Sequence, residues 1–460
     1  MLRAWQETCI SKALSNYRLG KKHFLAQATP GAGKTLMAAH LAKQLLKRSK
    51  IDFVVCISPS KITSSNIQNT FEKVLSCPVD GSFGSLGQSI TYQSLTHLNE
   101  NFWAKLAKYK VLCVFDEIHH CGGDNEHNSN SWGYQLLYNV QQVSTYTLAL
   151  TGTPWRSDNT PIALVSYSNP KGKIICDYQY TLYQAVKDRV CRSPKITLVD
   201  CKQSTLNVEG KKEVYPSIHR LIKDGEVSYS AILENKKAIH HLLQQAIEKL
   251  ENIRNINPSA GGLIVASSVN HARLLAKILE VEFKQTTSIV TYQDNFAQNR
   301  IDKFKKSNTQ WIVSVGMISE GADIPRLQVC CHLTNIKTEL YFRQVLGRIL
   351  RTTKDKNQEA WLYTFAEPNL IKFSEEIEND IPDSCMHLKD TTEILIPHSN
   401  NKTTLSSNVI TNGKTTSSQS EFLWQNETKI NSTAKLIESY HQDLVLSQFK
   451  QRVIEAFRYS

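Results

Sequence analysis

The chain has 460 residues, 41% of them hydrophobic, which excludes a disordered protein and allows two or three domains with substantial cores. Lys and Arg outnumber Asp and Glu 54 to 42, and a net charge of +12 favours a polyanionic partner. Eleven cysteines without C-x-x-C spacing fit neither a disulfide framework nor a zinc ribbon; with no apolar signal core at residues 1–11 and no run of about 18 apolar residues, a soluble cytoplasmic protein without a membrane partner is expected.

The first recognisable feature along the chain is the run Ala28-Thr29-Pro30-Gly31-Ala32-Gly33-Lys34-Thr35, followed by a helical stripe of Leu36, Met37, Leu41 and Leu45. Short apolar runs at 53–57, 111–115 and 147–150 read as buried parallel strands alternating with helices. That alternation predicts a doubly wound α/β domain over 1–160. The strand at 111–115 delivers Asp116 and Glu117 to the carboxyl edge of the sheet. His119, His120, Cys121 and His127 follow, but their spacing is not that of a metal site.

Residues 161–258 carry few motifs: a helix near 180–189, a strand at 195–199 and a long helical run at 231–253. They are expected to connect domains and to supply a packing helix. A second series of strands at 263–266, 288–292, 311–315, 328–333 and 360–365 predicts another α/β domain over 259–370. The stretch 371–398 is acidic, with Glu375, Glu376, Glu378, Asp380, Asp383, Asp390 and Glu393, and reads as a solvated face. Ser, Thr and Asn dominate 399–433, too polar to order unaided, so a flexible linker is expected. In 434–460, Leu436, Ile437, Tyr440, Leu444, Phe449, Val453 and Phe457 recur at helical spacing. An amphipathic helix is expected there, docking on the protein's own core in preference to a protein partner.

The Gly-rich run has a chemical reading of its own. Backbone N–H groups at a helix N-terminus form an anion site; Gly31 and Gly33 permit close approach, and Lys34 reaches the β/γ-phosphates of ATP. The Thr35 hydroxyl can ligate Mg²⁺ together with Asp116, and Glu117 is placed to orient or deprotonate the attacking water. Thr29, Pro30 and Ala32 complete the nucleotide-binding loop.

These residues give the chain a resemblance to the superfamily 2 helicases of DEAD/DEAH-like type, near the helicase subunits of type III restriction enzymes. Leu2-Arg3-Ala4-Trp5-Gln6 resembles the adenine-reading motif, with Gln6 as the base contact, and 28–35 is similar to motif I. Asp116-Glu117-Ile118-His119 resembles a DExH box, with His119 part of the catalytic set. Thr151-Gly152-Thr153-Pro154 resembles motif III, with Gly where many relatives carry Ala. In the second half, 317–327 with Gly321 and Asp323 resembles motif V, and Gln344, Gly347, Arg348 and Arg351 fit motif VI. The resemblance implies two tandem RecA-like domains, ATP and Mg²⁺ as cofactors, and Arg348 and Arg351 as arginine fingers with Gln344 beside them. It also implies nucleic-acid contacts at Ser58, Pro59, Thr91, Gln93 and Ser267, with DNA favoured over RNA. An RNA helicase, or a sensing ATPase switch recruiting an effector through its tail, are the alternatives. No added nuclease signature is present.

Overall fold

The computed structural model describes residues 2–379 and 443–457, apart from 124–129, 159, 169–171, 209–210, 226, 295, 317, 319–322 and 354–358. Residues 388–442 form a separate unit outside the described residues, and with them the expected flexible linker.

Five strands open the chain: β1 (His23–Ala28), β2 (Phe53–Ser58), β3 (Gly87–Thr91), β4 (Val111–Asp116) and β5 (Ser144–Thr151). After a small antiparallel pair, β6 (Ser166–Tyr167) and β7 (Ile174–Ile175), β8 (Tyr178–Tyr180) joins the first sheet beside β1. The order is β3-β2-β4-β5-β1-β8 and every pairing is parallel. A parallel sheet needs both faces covered, which is why β4 is buried at all six positions and reads as a continuous apolar run. Helices Ala4–Arg18 and Lys34–Lys47 pack on each other, and Lys61–Leu75 packs on β2 and β3.

The second sheet holds β9 (Ser193–Val208), β10 (Lys211–Tyr215), β11 (Gly261–Ala266), β12 (Thr287–Thr291), β13 (Trp311–Val315), β14 (Leu327–Leu333), β15 (Glu359–Phe365) and β16 (Asp443–Glu455). Its order is β10-β9-β15-β14-β11-β13-β12, with β16 paired to β9. The tandem parallel-sheet architecture expected from the sequence is present, each strand motif falling within an observed strand or one residue of it.

The structure differs from expectation in two places. The segment 161–258 is more than a connector with a packing helix: β8 extends the first sheet, while β9 and the helix Lys236–Arg254 belong to the second. That helix buries Leu242, Leu243, Ala246, Ile247 and Leu250 against β14, β15 and β16. The helix expected over 434–460 is also replaced, since Asp443–Glu455 is a strand antiparallel to β9 from Lys195 to Asn207. The other edge of β9 is taken first by β15 and then by β10. An open edge of that length would leave a row of N–H and C=O groups unpaired, and the ladder that satisfies them outweighs a helical spacing of apolar residues. Leu446 becomes buried while Val453, read as part of the helix stripe, faces solvent. Among the described residues no helix is long and apolar enough to cross a membrane, and the cysteines are unbridged.

Candidate active site

β1 ends at the fully buried Ala28, and the loop that follows turns through Gly31 and Gly33 at φ of 83° and 94°. Side-chain-bearing residues adopt such angles only at a cost, so the loop conformation depends on these glycines. Gly33 caps the helix Lys34–Lys47, whose first turn has no acidic residue, leaving free N–H groups and a positive dipole end. Two side chains from the N-terminus grip this loop. The Arg3 guanidinium donates to Ala32 O at 2.6 Å and Gln6 Nε2 donates to Gly33 O at 2.9 Å.

Lys34 is nearly buried, its Nζ donating to Ala28 O at 3.0 Å and lying 3.5 Å from Glu117 Oε1. Glu117 sits just after β4 at φ 51°, and Thr151 Oγ1 and the Gly152 N–H donate to its Oε2 at 3.2 and 3.3 Å. His119 Nδ1 is 3.0 Å from Thr151 Oγ1 and 3.5 Å from the same carboxylate. The motif after β5 thus holds the Glu117 carboxylate from behind. Asp116 is buried beside it, and burial followed by the Glu117 charge pushes its carboxyl up to about 7, against the pull of Lys34, His120 and Arg348.

The second lobe brings its own charges to this point. The helix Glu339–Ile349 carries Gln344, Gly347 and Arg348, and Arg351 follows, paired with Asp323 at 2.5 Å. Gly347 packs so closely on Pro30 that a Cβ there would lie 2.6 Å from the proline Cβ. A Cβ on Gly152 would meet the same proline ring at 3.1 Å, so the Gly in place of the commoner Ala matches a tight fit. Between the lobes lies a cleft of about 590 Å³. Gly31, Gly33, Lys34, Thr35, Asp116 and Glu117 line it from one side; Asp323, Gln344, Arg348 and Arg351 line it from the other. Its size suits a nucleotide. Oxygen donors on Thr35 and Asp116 suit a hard divalent cation, and one there would relieve the repulsion between Asp116 and Glu117. Gly321 lies outside the described residues.

Residues 1–156 match the family model of the type III restriction enzyme, res subunit. An uncharacterized protein of Mycobacterium leprae is 29% identical over 395 residues, 82% of this chain and 64% of that protein. The DNA 3'-5' translocase XPB2 of Sulfurisphaera tokodaii is 26% identical over 295 residues, 58% of this chain and 60% of its own. Among solved structures, a fragment attributed to the HsdR subunit of a Vibrio vulnificus type I restriction enzyme superposes with a TM-score of 0.54 at 16% identity, covering 83% of this chain and 67% of the fragment. The chain is similar to superfamily 2 helicases. It spans a little under two thirds of the length of the first curated relatives it matches.

The residues expected to touch nucleic acid are placed unevenly. All sit at carboxyl ends of strands or in the turns after them, but Ser58 is fully buried, with its hydroxyl donating to Ser60 O at 3.4 Å. Thr91 accepts from Ser94 N at 3.3 Å as the cap of a short helix, Tyr92–Leu95. Ser267 Oγ lies 2.8 Å from His271 Nδ1. Gln93 is exposed, and Pro59 lines the rim of the cleft. His119, His120 and Cys121 belong to no cluster of metal ligands among the described residues, and His127 lies outside them.

Three residues that motif reading passed over matter to this site. Arg3 was visible as part of its motif, but its grip on the loop was not. Tyr92 donates its hydroxyl to Asp116 O at 3.0 Å and stacks on Trp132 with centroids 5.6 Å apart, joining the turn after β3 to the catalytic strand. Arg192 had no sequence signal, being a lone basic residue in a segment with few motifs.

Proposed function

We propose that the protein is an ATP-dependent nucleic-acid translocase or helicase acting on DNA, with ATP hydrolysed in the cleft between its lobes. The observation that carries this reading is the convergence of Lys34 and Glu117 with Arg348 and Arg351 on one cavity, from two separate sheets. Lys34 and the loop N–H groups would bind the β/γ-phosphates. Glu117, held by Thr151 and Gly152, would accept the proton of the attacking water, and Arg348 and Arg351 would neutralise charge developing on the transferred phosphoryl group. Thr35 and Asp116 would hold Mg²⁺, which when bound supplies charge neutralisation at the phosphates. Because the two halves sit on different lobes, ATP favours their approach and hydrolysis releases it.

A nucleic-acid partner follows from the family relationship and the basic balance of the chain. DNA is preferred because a relative is named for DNA translocation. The test is ATPase activity measured alone and with duplex DNA, single-stranded DNA or RNA. Stimulation by DNA is expected; none by any nucleic acid defeats the motor reading, and stimulation by RNA alone reassigns the substrate. Glu117→Gln keeps the acceptor oxygen for Thr151 and Gly152 while removing the base. Turnover should fall on the order of 100-fold with ATP still bound, and unchanged turnover in this variant removes Glu117 from its role.

A further inference from the structure

The chain crosses from the first lobe to the second at Val190–Arg192, between the helix Leu182–Lys187 and β9. Arg192 there is fully buried. Its NH1 donates to Leu327 O at 2.8 Å, Pro325 O at 3.2 Å and Ile349 O at 3.3 Å, and its NH2 donates to Thr353 Oγ1 at 3.2 Å. Its backbone N–H donates to Leu350 O at 2.7 Å. The neighbours reinforce this. Thr352 Oγ1 donates to Val190 O at 3.3 Å, Cys191 is bridged through its backbone to Arg351, and Cys191 Sγ lies 3.5 Å from Pro30 O in the phosphate loop.

These contacts have a common object. Leu350 and Thr352 flank Arg351, Ile349 ends the helix that carries Arg348, and Pro325 lies two residues beyond the Asp323 that pairs with Arg351. The three carbonyls and one hydroxyl are neutral acceptors for the guanidinium. Of these, the Ile349 carbonyl lies at the C-terminal end of its helix and carries the negative pole of the dipole, which a cation stabilises. A planar fork can hold acceptors on two segments at once in fixed geometry, whereas a lysine offers a single charged point.

We propose that Arg192 is a positioning residue for the arginine fingers: it registers the Arg348–Arg351 segment against the phosphate loop from the hinge between the lobes. The proposal rests on the reading of the cleft as an ATPase site. Phosphoryl transfer is sensitive to sub-ångström placement of charge, and misplacing a catalytic group by about 1 Å can cost roughly 100-fold in rate. An interaction realised only in the transition state shows in kcat and leaves substrate binding intact.

The experiment compares full-length wild type, Arg192→Lys and Arg192→Met for thermal unfolding, nucleotide affinity, steady-state ATPase and binding of Mg-ADP with aluminium fluoride. In both variants kcat should fall about 100-fold, with KM for ATP unchanged and affinity for the aluminium fluoride complex reduced in parallel. Combined with Arg348→Ala, either substitution should add little, because both act through the same finger. If Arg192→Met fails to fold, Thr353→Val, which removes the hydroxyl that accepts from NH2, should give a smaller loss of kcat with the same unchanged KM. Normal kcat in folded Arg192 variants, equal loss of ATP affinity and kcat, or full additivity with Arg348→Ala overturns the proposal. Absence of hydrolysis by the wild type under every condition defeats the ATPase reading itself and this proposal with it.

Discussion

Asp116 is the residue at which burial and chemistry are most plainly opposed. Its carboxyl is held near neutrality by burial and by Glu117 3.5 Å from Lys34, although Lys34 itself pulls the other way. A carboxyl raised in the folded state retains its proton there more than in the unfolded chain, from its ordinary value of 3.8 up to about 7. Stability of the ligand-free protein therefore falls as pH rises through that window. Asp116→Asn removes the ionisation, so its melting temperature should exceed that of wild type at pH 8, and the advantage should shrink or reverse at pH 5. Equal shifts at both pH values would place the effect elsewhere. Under the proposed role of Asp116 magnesium would compete with the same proton, so its binding to wild type should strengthen as pH rises through 7. Lys34, Thr35 and Glu117 were legible in the sequence because short-range spacing alone sets a phosphate loop and a strand-end carboxylate pair. The shift at Asp116 was not, because it arises from burial and neighbouring charge that only the folded chain supplies. Ser58 and Thr91 show the converse: their positions were readable, but their side chains are used locally, one buried and the other capping a helix.

The helix Glu339–Ile349 joins local propensity to the geometry of the cleft. Gly347 is an exception to helix preference, since alanine at an interior position is favoured by about 1 kcal/mol. Its compensation lies across the cleft, where Pro30 occupies the space a side chain would need. Gly347→Ala should therefore leave the second lobe at least as stable as before yet hold the lobes apart, lowering kcat while thermal unfolding is unchanged or raised. Parallel measurements of ATPase and unfolding check this; a loss of stability equal to the loss of activity would mean the glycine serves the helix and not the closure. Elements of this kind were legible where one lobe sufficed to define them. β4, β13 and β14 are buried on both faces and were plain as apolar runs. β16 was not, because Leu444, Phe449, Val453 and Phe457 fit a helical spacing, and only the edge of β9, far away in sequence, decides for a strand.

For the whole molecule, the second sheet depends on a segment contributed from the far side of residues 388–442. Removing residues 443–460 would open the edge of β9 from Lys195 to Asn207 and uncover the apolar surface beneath Leu446 and Ala456. Such a truncation should lower the unfolding temperature of the second lobe and raise light scattering, while nucleotide binding by the loop at 28–35 is retained. A truncated protein as stable and monodisperse as the full chain would show that β9 tolerates an open edge. The two-lobe plan was visible from the repeated alternation of strands and helices. The allocation of 161–258 was not, because β9 reads locally as an isolated strand and gains its place by pairing with β15 and β16, both distant in sequence.

The pairing of β9 with β16 imposes an order on synthesis. The first sheet can close once β8 has left the ribosome, since all its strands lie within the first 180 residues. β9 emerges next, yet its partner β16 is translated only after β10 to β15 and all of 388–442. Throughout that interval a long strand edge waits without its ladder, the kind of surface that recruits wrong partners from neighbouring nascent chains. Yield on expression should therefore respond to chaperone supply and translation speed more than the stability of the finished molecule would suggest.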